Sequence, residues 1–156
     1  KPESLNLSKL STMKKETPEL NMGEDFTDSI LGAFKAGKYG YDGKIDFNGK
    51  PVRISLDDKE GIKTAQAVQK ELSSLLPEAS AFAAEELTEL ANEWLEDDAE
   101  EITEEDFIER ISLSEISILK NGRYVLWFKD GRMFHNHAVC VYGSIDGHFE
   151  TAVVEG

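Results

Sequence analysis

Three side chains that could do chemistry lie close together near the carboxyl end of the chain, in the segment MFHNHAVCVYG (residues 133–143). His135 and His137 are separated by a single residue, and Cys140 is the only cysteine of the chain. Imidazole and thiolate groups bind metals, and a thiol beside an imidazole can act as a nucleophile. The segment could therefore hold a metal site or a Cys-His catalytic pair, or it could be a β-strand with one polar face.

Alternation along a strand argues against the catalytic pair. Successive side chains of a strand point to opposite faces, so Cys140 and His137 would lie on opposite sides of the sheet. His135 and His137 would share a face about 6.6 Å apart, which is close enough to bind one ion. His148 would lie about 25 Å from His137 along the strand path and could not complete that site.

Turn signals decide which residues would lie beside the two histidines. Asn121-Gly122, Asp130-Gly131 and Asp146-Gly147 each separate β-rich runs, and we read each pair as a two-residue turn. With that turn length Tyr124 faces His137, although tyrosine is a poor zinc ligand. His135, His137 and Tyr124 are thus the candidate ligand or metal site. The simpler alternative is a polar patch with one packed histidine.

The negative charge of the chain is concentrated in one block. The net charge is −14, and residues 78–109 contain 14 acidic residues without any Lys or Arg; elsewhere 17 acidic residues balance 17 basic ones. Nucleic acids and anionic membranes require cationic surface, so neither is an expected partner. A basic protein partner is favoured instead. The candidate partner-binding residues are Glu89, Glu93, Glu96, Asp97, Asp98, Glu100 and Glu101.

Length and composition favour a small intracellular protein without a cofactor. The 156 residues suit one domain, and the lone cysteine fits a reducing compartment. No apolar run reaches the roughly 18 residues that a membrane span requires. We expect a cytoplasmic protein, and because the sequence starts at Lys1, removal of an upstream signal stays compatible with it. Phosphate-loop, dinucleotide and zinc-protease motifs are absent, so we expect neither cofactor nor metal.

The pattern along the chain predicts an α+β fold. Residues 1–25 are polar and indicate an arm or tail, and residues 26–156 indicate a single α+β domain. Asn48-Gly49 predicts a hairpin in which Tyr41 pairs with Leu56 and Ile45 with Val52. A further strand is expected near residues 30–34. Apolar spacing then predicts helices over 62–76, from 77 to about 95, and over 104–111, with Pro77 ending the first.

The last third of the chain predicts a four-stranded antiparallel meander. Together with the hairpin it gives a sheet of six or seven strands, with about three helices packed on one face. We expect the helices to cover the face that carries Ile116, Ile118, Val125, Trp127 and Cys140. The opposite face would carry the histidines, together with apolar residues that could form a homodimer interface: Leu126, Phe128, Val139 and Val141.

Several segments resemble one bacterial family. They are ILGAF, YDGKIDFNGKPVRISLD, AAEELTELANEWL, ITEEDFIERISLSEISI and DGRMFHNHAVCVYGSIDGHFETAVVEG. In order and spacing they resemble the bacterial domain of unknown function 2262 over residues 29–156. Asn92 and Trp94 match an Asn-x-Trp pair, and the segment from Asp130 to His137 matches Asp-Gly…Phe-x-Gly-His, with Asn136 in place of the glycine. The resemblance implies one α+β domain of bacterial, cytoplasmic origin and assigns no activity.

Two functions from different classes remain in view. The first is a non-enzymatic domain whose acidic helical surface binds a basic protein, as a small domain that neutralises a toxin would. The alternative is an enzyme that depends on a metal or small ligand and uses the His135/His137 face of the sheet.

Overall fold

The computed structural model describes residues 23–156, and an eight-stranded sheet with two α-helices accounts for that part of the chain. The elements in chain order are β1 Phe26–Asp28, β2 Gly32–Ala36, β3 Tyr41–Phe47, β4 Lys50–Leu56, a 3₁₀ turn Lys59–Gly61, α1 Ile62–Glu93, α2 Glu104–Arg110, β5 Ser112–Ile118, β6 Arg123–Lys129, β7 Ala138–Ser144 and β8 Thr151–Glu155. Residues 1–22, which make up most of the predicted polar arm, lie outside the described residues.

The strands follow one another across the sheet in chain order. β1 to β4 form one antiparallel meander and β5 to β8 form a second. The two meanders meet where β4 pairs with β5 in parallel. Both α-helices lie in this connection, as a parallel crossover requires. The α+β class and the mainly antiparallel sheet are therefore confirmed, while the parallel junction and the eighth strand were not predicted.

The first hairpin has the predicted register. Tyr41 pairs with Leu56, and Ile45 pairs with Val52. Asn48 and Gly49 have φ values of 53° and 82°, as a type I′ turn requires at both central positions. Alternation then directs Ile45, Val52 and Leu56 into the core, where each is at most 7% exposed. The register could be predicted because Asn48 and Gly49 make up the whole turn, so the residues on either side of the turn pair directly.

Helix α1 corrects the prediction of two separate helices in this region. It runs for 32 residues from Ile62 to Glu93 and contains Pro77 in its interior. Proline removes one helical hydrogen bond, whose acceptor would be the carbonyl of Ser73. Ser73 and Pro77 are both exposed, so water can solvate that carbonyl. Buried residues continue on both sides, from Val68 to Leu87, and packing along this stripe holds the helix together.

Helix α2 begins as its sequence predicts. The Thr103 side chain accepts a hydrogen bond from the backbone N–H of Asp106, and the Asp106 carboxylate accepts one from the N–H of Thr103. The hydrogen bond from the Thr103 N–H lowers the pKa of the Asp106 carboxyl most, with smaller contributions from the Thr103 side chain and the charge of Arg110. Because the folded pKa is lowered, this contribution to stability is present above the unfolded pKa of the carboxyl. It is lost as the pH falls through the folded value.

The turn between β5 and β6 reverses the predicted assignment of faces. Its loop is three residues long, residues 120–122, and the backbone N–H of Leu119 donates to the carbonyl of Arg123. Ile118 therefore pairs with Tyr124, one residue from the predicted partner Val125. A shift of one residue moves a strand's side chains to the other face relative to its neighbour. Ile116 and Ile118 consequently lie on the face of Tyr124 and Leu126.

On β6 and β7 the side chains that meet the helices are those predicted to lie opposite them, whereas Ile116 and Ile118 of β5 meet the helices as predicted. The residues of the helix-covered face share one buried cluster with α1: Ile54, Leu56, Ile116, Ile118, Leu126, Phe128, Val139 and Val141, with Val68, Leu72 and Leu87 of the helix. Leu126, Phe128, Val139 and Val141 are at most 2% exposed. The prediction of a homodimer interface at these four residues is therefore wrong, since they form the core. Val125 and Cys140 lie outside this cluster, on the helix-free face.

The segment after β6 is not the predicted two-residue turn. Residues 130–137 form an eight-residue loop between β6 and β7, so Trp127 pairs with Cys140 and not with Phe134. The register between β7 and β8 is as predicted, with Val139 opposite Val154 and Val141 opposite Ala152. None of the helices within residues 23–156 has the length and apolar character that crossing a membrane requires.

Candidate functional site

The predicted partner-binding residues lie together at the end of α1 and in the connection between α1 and α2. Glu89 and Glu93 belong to the last turns of α1, and the other five belong to the connection that follows. All seven side chains are exposed, and none forms an ion pair within residues 23–156. We call these residues the acidic surface: Glu89, Glu93, Glu96, Asp97, Asp98, Glu100 and Glu101. Its charge is therefore not neutralised by the described part of the chain.

Asn92 fixes the connection that carries this surface. Its side-chain Oδ1 accepts a hydrogen bond of 2.7 Å from the backbone N–H of Ile102, and its Nδ2 donates to the Ile102 carbonyl at 2.9 Å. The same Nδ2 donates to the Thr88 carbonyl at 3.1 Å. Ile102 is only 4% exposed and anchors the end of the connection in the core. One amide thus ties the far end of the connection, at Ile102, back to the last turns of α1.

The two neighbouring histidines do not lie on a strand. Both belong to the loop of residues 130–137, where their rings pack around Trp94. The ring centroid of Trp94 lies 5.1 Å from that of His135 and 5.6 Å from that of His137. His137 Nδ1 is 2.6 Å from the carbonyl oxygen of Phe134, which occupies one ring nitrogen. The exposed His135 and the half-buried His137 therefore belong to an aromatic cluster.

Tyr124, the third member of the predicted ligand site, lies elsewhere. It pairs with Gly143 near the start of β6, whereas the histidine loop leaves the other end of that strand. The predicted pairing of Tyr124 with His137 is wrong because the turn after β6 is longer than two residues. Within residues 23–156, His, Cys, Asp and Glu side chains form no group of three that could hold a metal ion. Cys140 also lies in a strand apart from both imidazoles.

Asp130 organises the histidine loop. Its carboxylate accepts three backbone hydrogen bonds, from the N–H groups of Arg132 at 3.0 Å, Phe134 at 2.9 Å and Asn136 at 2.9 Å. Asp130 itself is only 5% exposed. The next residue, Gly131, has a φ of 59° and lies against the backbone of Arg110, so a side chain there would collide with it. These contacts join the loop to the end of α2.

A pocket of about 430 Å³ lies between the middle of α1 and the loop that joins β7 to β8. Glu78, Phe82 and Glu85 line it from the helix, His148 and Phe149 from the loop, and Tyr124 from the sheet. The rings of Phe82 and Phe149 are 5.6 Å apart. This pocket combines two carboxylates with three aromatic rings. It brings Tyr124 together with His148, the histidine that appeared too distant to contribute to a site.

Tyr124 is held in the pocket by a glycine on the neighbouring strand. A Cβ atom at Gly143 would lie 2.8 Å from the Tyr124 hydroxyl oxygen, so any larger residue would displace the ring. Glycine in a strand often marks such a close approach. Burial of the phenol, with a smaller contribution from the negative charge of Glu78, raises the pKa of Tyr124. The hydroxyl therefore stays protonated at neutral pH.

The chemistry of Cys140 is that of a structural thiol. The side chain is completely buried between its cross-strand neighbours Trp127 and Val153. Burial raises the pKa of the Cys140 thiol to about 12, with smaller contributions from the charges of Glu155 and Glu115. A thiol with so high a pKa is not a nucleophile at neutral pH.

Comparison with known families gives a match over most of the chain. The sequence model of a family of uncharacterised proteins conserved in bacteria, DUF2262, matches residues 28–154. The chain belongs to the DUF2262 family. The match confirms the resemblance found in the sequence, and it covers all of the sheet but a few terminal residues. The chain matches no curated protein and no solved structure.

The positions that carry the DUF2262 resemblance converge in the structure. Trp94 packs edge-on against Phe134 with ring centroids 5.4 Å apart, and it contacts His137 as well. Asn136, at the place of the pattern's glycine, has a φ of 70°. Glycine adopts that conformation freely, and asparagine is among the residues that tolerate it best. The pattern therefore describes how α1, α2 and the loop of residues 130–137 are joined.

The pocket was missed in the sequence because its walls come from three distant segments. Phe82 and Glu85 belong to the helix predicted from residue 77 to about 95, whereas Tyr124 is predicted to face His137. One signal was available, since Gly143 interrupts a strand of otherwise larger residues and glycine in a strand often lies beneath a bulky neighbour. Identifying that neighbour as Tyr124 requires the β6–β7 register, which depends on the length of the loop between them.

Proposed function

We propose that this DUF2262 protein is a non-enzymatic binding module whose acidic surface engages a basic protein in the cytoplasm. The observation that supports this proposal is the absence of any Lys or Arg from residues 78–109, combined with the exposure of all seven acidic-surface side chains. Unneutralised charge of one sign raises the rate of encounter with an oppositely charged protein and selects against acidic ones.

The Asn92 hydrogen bonds give the surface a second property that binding needs. They hold the end of the connection at Ile102 against α1 and so restrict the paths that residues 93–101 can take, which reduces the conformational entropy lost when a partner binds. Neutralisation of a basic toxin is one activity that such a surface suits. The alternative, an enzyme that uses His135 and His137, would need a further ligand beside the imidazoles, and Tyr124 does not supply it.

The proposal is tested by neutralising part of the acidic surface. The surface variant carries Asp97→Asn, Asp98→Asn and Glu100→Gln, and the control variant carries Asp46→Asn, Asp57→Asn and Glu71→Gln. All six side chains are exposed, so both variants lose the same charge without disturbing the core. Proteins captured from a bacterial lysate are identified, and the affinity of each purified candidate is then measured at low and high salt.

We expect the surface variant to bind a basic partner about tenfold more weakly than the wild type at low salt, because each exposed ion pair contributes up to about 1 kcal/mol. The control variant should bind as the wild type does. Binding should also weaken as salt screens the charges. A partner that binds both variants equally, or whose binding ignores ionic strength, would contradict the proposal.

A further inference from the structure

The pocket between α1 and the β7–β8 loop has a composition that selects the charge of its ligand. Two carboxylates line it, from Glu78 and Glu85, and no Lys or Arg does. Glu78 and Glu85 are seven residues apart, which places them about 10.5 Å apart along the helix on nearly the same face. Both carboxylates would repel an anion from this position and attract a cation to it.

The remaining walls suit a cation that carries an apolar chain. The rings of Phe82 and Phe149, 5.6 Å apart, lie beside the carboxylates and are joined by the ring of Tyr124. The faces of aromatic rings attract ammonium and guanidinium groups, and the rings also bury methylene groups. A metal ion would need several ligands close together, and within residues 23–156 the Glu78, Glu85 and His148 side chains form no such group.

The Tyr124 hydroxyl is a polar group that a ligand in the pocket can reach. Tyr124 is 3% exposed, yet its hydroxyl forms no hydrogen bond with any residue from 23 to 156. The hydroxyl oxygen itself is not enclosed by protein, since among residues 23–156 only the Thr88 hydroxyl is both fully buried and unpaired. The Tyr124 hydroxyl is therefore open to the pocket and can hydrogen-bond a polar ligand atom. Gly143 keeps the hydroxyl there, because a larger residue would push the ring away.

We propose that this pocket binds an ammonium or guanidinium group carried on an aliphatic chain. Glu78 and Glu85 balance its charge, Phe82 and Phe149 contact its methylene groups, and the Tyr124 hydroxyl accepts a hydrogen bond from its N–H. Such a group occurs on the lysine and arginine side chains of a protein and on free alkylamines and polyamines. The site shares no residue with the acidic surface, so the two proposals can fail separately.

The test is to titrate the full chain with amine probes and to monitor binding by the change in amide chemical shifts in NMR spectra. The probes are n-butylammonium, spermidine, and the blocked amino acids N-acetyl-lysine methylamide and N-acetyl-arginine methylamide. N-acetyl-norleucine methylamide serves as the uncharged probe of similar shape. The variants are Glu78→Gln, Glu85→Gln and Tyr124→Phe, and Glu71→Gln is the matched control on the same helix, since Glu71 is exposed and lies outside the pocket.

We expect saturable shifts centred on residues 147–149 with the cationic probes and none with the norleucine probe. Glu78→Gln and Glu85→Gln should each raise the dissociation constant about fivefold, and Glu71→Gln should leave it unchanged. Tyr124→Phe should raise it less, because it removes one hydrogen bond and no charge. Tighter binding of the blocked amino acids would assign the site to a protein side chain, and tighter binding of n-butylammonium or spermidine would assign it to a free amine.

Three results would overturn the proposal. They are the absence of saturable shifts in the millimolar range, equal binding of the norleucine probe, or equal affinities in the Glu78→Gln and Glu71→Gln variants. Amide spectra of each variant without a probe show whether the fold is intact. None of these results bears on capture by the acidic surface, whose variants leave the pocket unchanged.

Discussion

Asp130 shows how one residue type performs different tasks in similar sequence contexts. Asp130-Gly131 and Asp146-Gly147 both interrupt β-rich runs, and both were interpreted as two-residue turns. The carboxylate of Asp146 is exposed, whereas that of Asp130 is buried and accepts hydrogen bonds from three backbone N–H groups. An Asp-Gly dipeptide therefore predicts that the chain can turn at that position. It does not predict which groups elsewhere in the chain the aspartate side chain will contact.

We expect Asp130→Ala to lower the free energy of unfolding by about 3 kcal/mol. The reason is that three N–H groups of the loop, one of them fully buried, would lose their acceptor. Urea denaturation followed by circular dichroism measures the change. Asp146→Ala is the matched control and should change stability by less than about 0.5 kcal/mol, since its carboxylate is solvated. Similar losses in both variants would refute the role assigned to Asp130.

Helix α1 shows that a single local signal can be overruled by a longer pattern. Proline is a strong helix breaker, and the sequence accordingly predicted an end at Pro77. Buried side chains recur before and after it, however, and their packing against the sheet outweighs one lost hydrogen bond. The apolar residues of 62–95 keep the same three- and four-residue spacing before and after Pro77. That spacing is equally compatible with one continuous helix.

Replacing Pro77 with alanine should therefore stabilise the protein by about 1–2 kcal/mol. Alanine restores the hydrogen bond to the Ser73 carbonyl, and the greater flexibility that it gives the unfolded chain offsets part of that gain. The thermal midpoint of unfolding, followed by circular dichroism, should rise. Ser74→Ala, on the same exposed turn, is the control and should have a smaller effect. A loss of stability in Pro77→Ala would mean that the proline is needed where it stands.

The two Asn-Gly turns explain how far strand pairing could be predicted. At Asn48-Gly49 the turn has two residues, and every pair of that hairpin followed from it. At Asn121-Gly122 the loop also includes Lys120, and this one residue reversed the face of β5 relative to β6. The assignment of Cys140 to the helix-covered side failed for a related reason, since both faces of this sheet carry apolar side chains and neither is marked clearly as the core.

The excess negative charge of the molecule extends from the second half of α1 through α2. The acidic surface and α2 lie next to each other, and Arg110, at the end of α2, is directed to the carbonyl of Gly131. Like charges crowded into this region repel one another and oppose the compact state. Charge that opposes folding in this way is consistent with a role in binding a partner.

Salt should consequently stabilise the free protein. The screening length falls from about 30 Å at 0.01 M to about 8 Å at 0.15 M ionic strength, so the repulsion within the acidic surface weakens over that range. We expect the thermal midpoint of the wild type to rise with sodium chloride. The rise should be smaller in the Asp97→Asn, Asp98→Asn, Glu100→Gln variant than in its control. Equal slopes in the two variants would show that only net charge matters, not its location.

For the molecule as a whole, more of the fold than of the candidate binding sites could be predicted from the sequence. The α+β class, the antiparallel meander and the family followed from patterns that recur along the chain. The pocket residues Glu78, Tyr124 and His148 carry no shared pattern, because only the β6–β7 register and the path of α1 bring them together. The acidic surface was visible as a run of like charges, which needs no tertiary information.

The parallel junction between β4 and β5 has a consequence for the speed of folding. Every other strand pairing among residues 23–156 joins strands connected by a short loop, so each can form by closing that loop. Ser55 and Ser117, which meet across the junction, are 62 positions apart. Bringing β4 and β5 together closes a loop much longer than that of any hairpin and therefore costs more chain entropy. Only the packing of α1 against the sheet offsets this loss. The encounter of two preformed halves at this seam is therefore where we expect the folding barrier to lie.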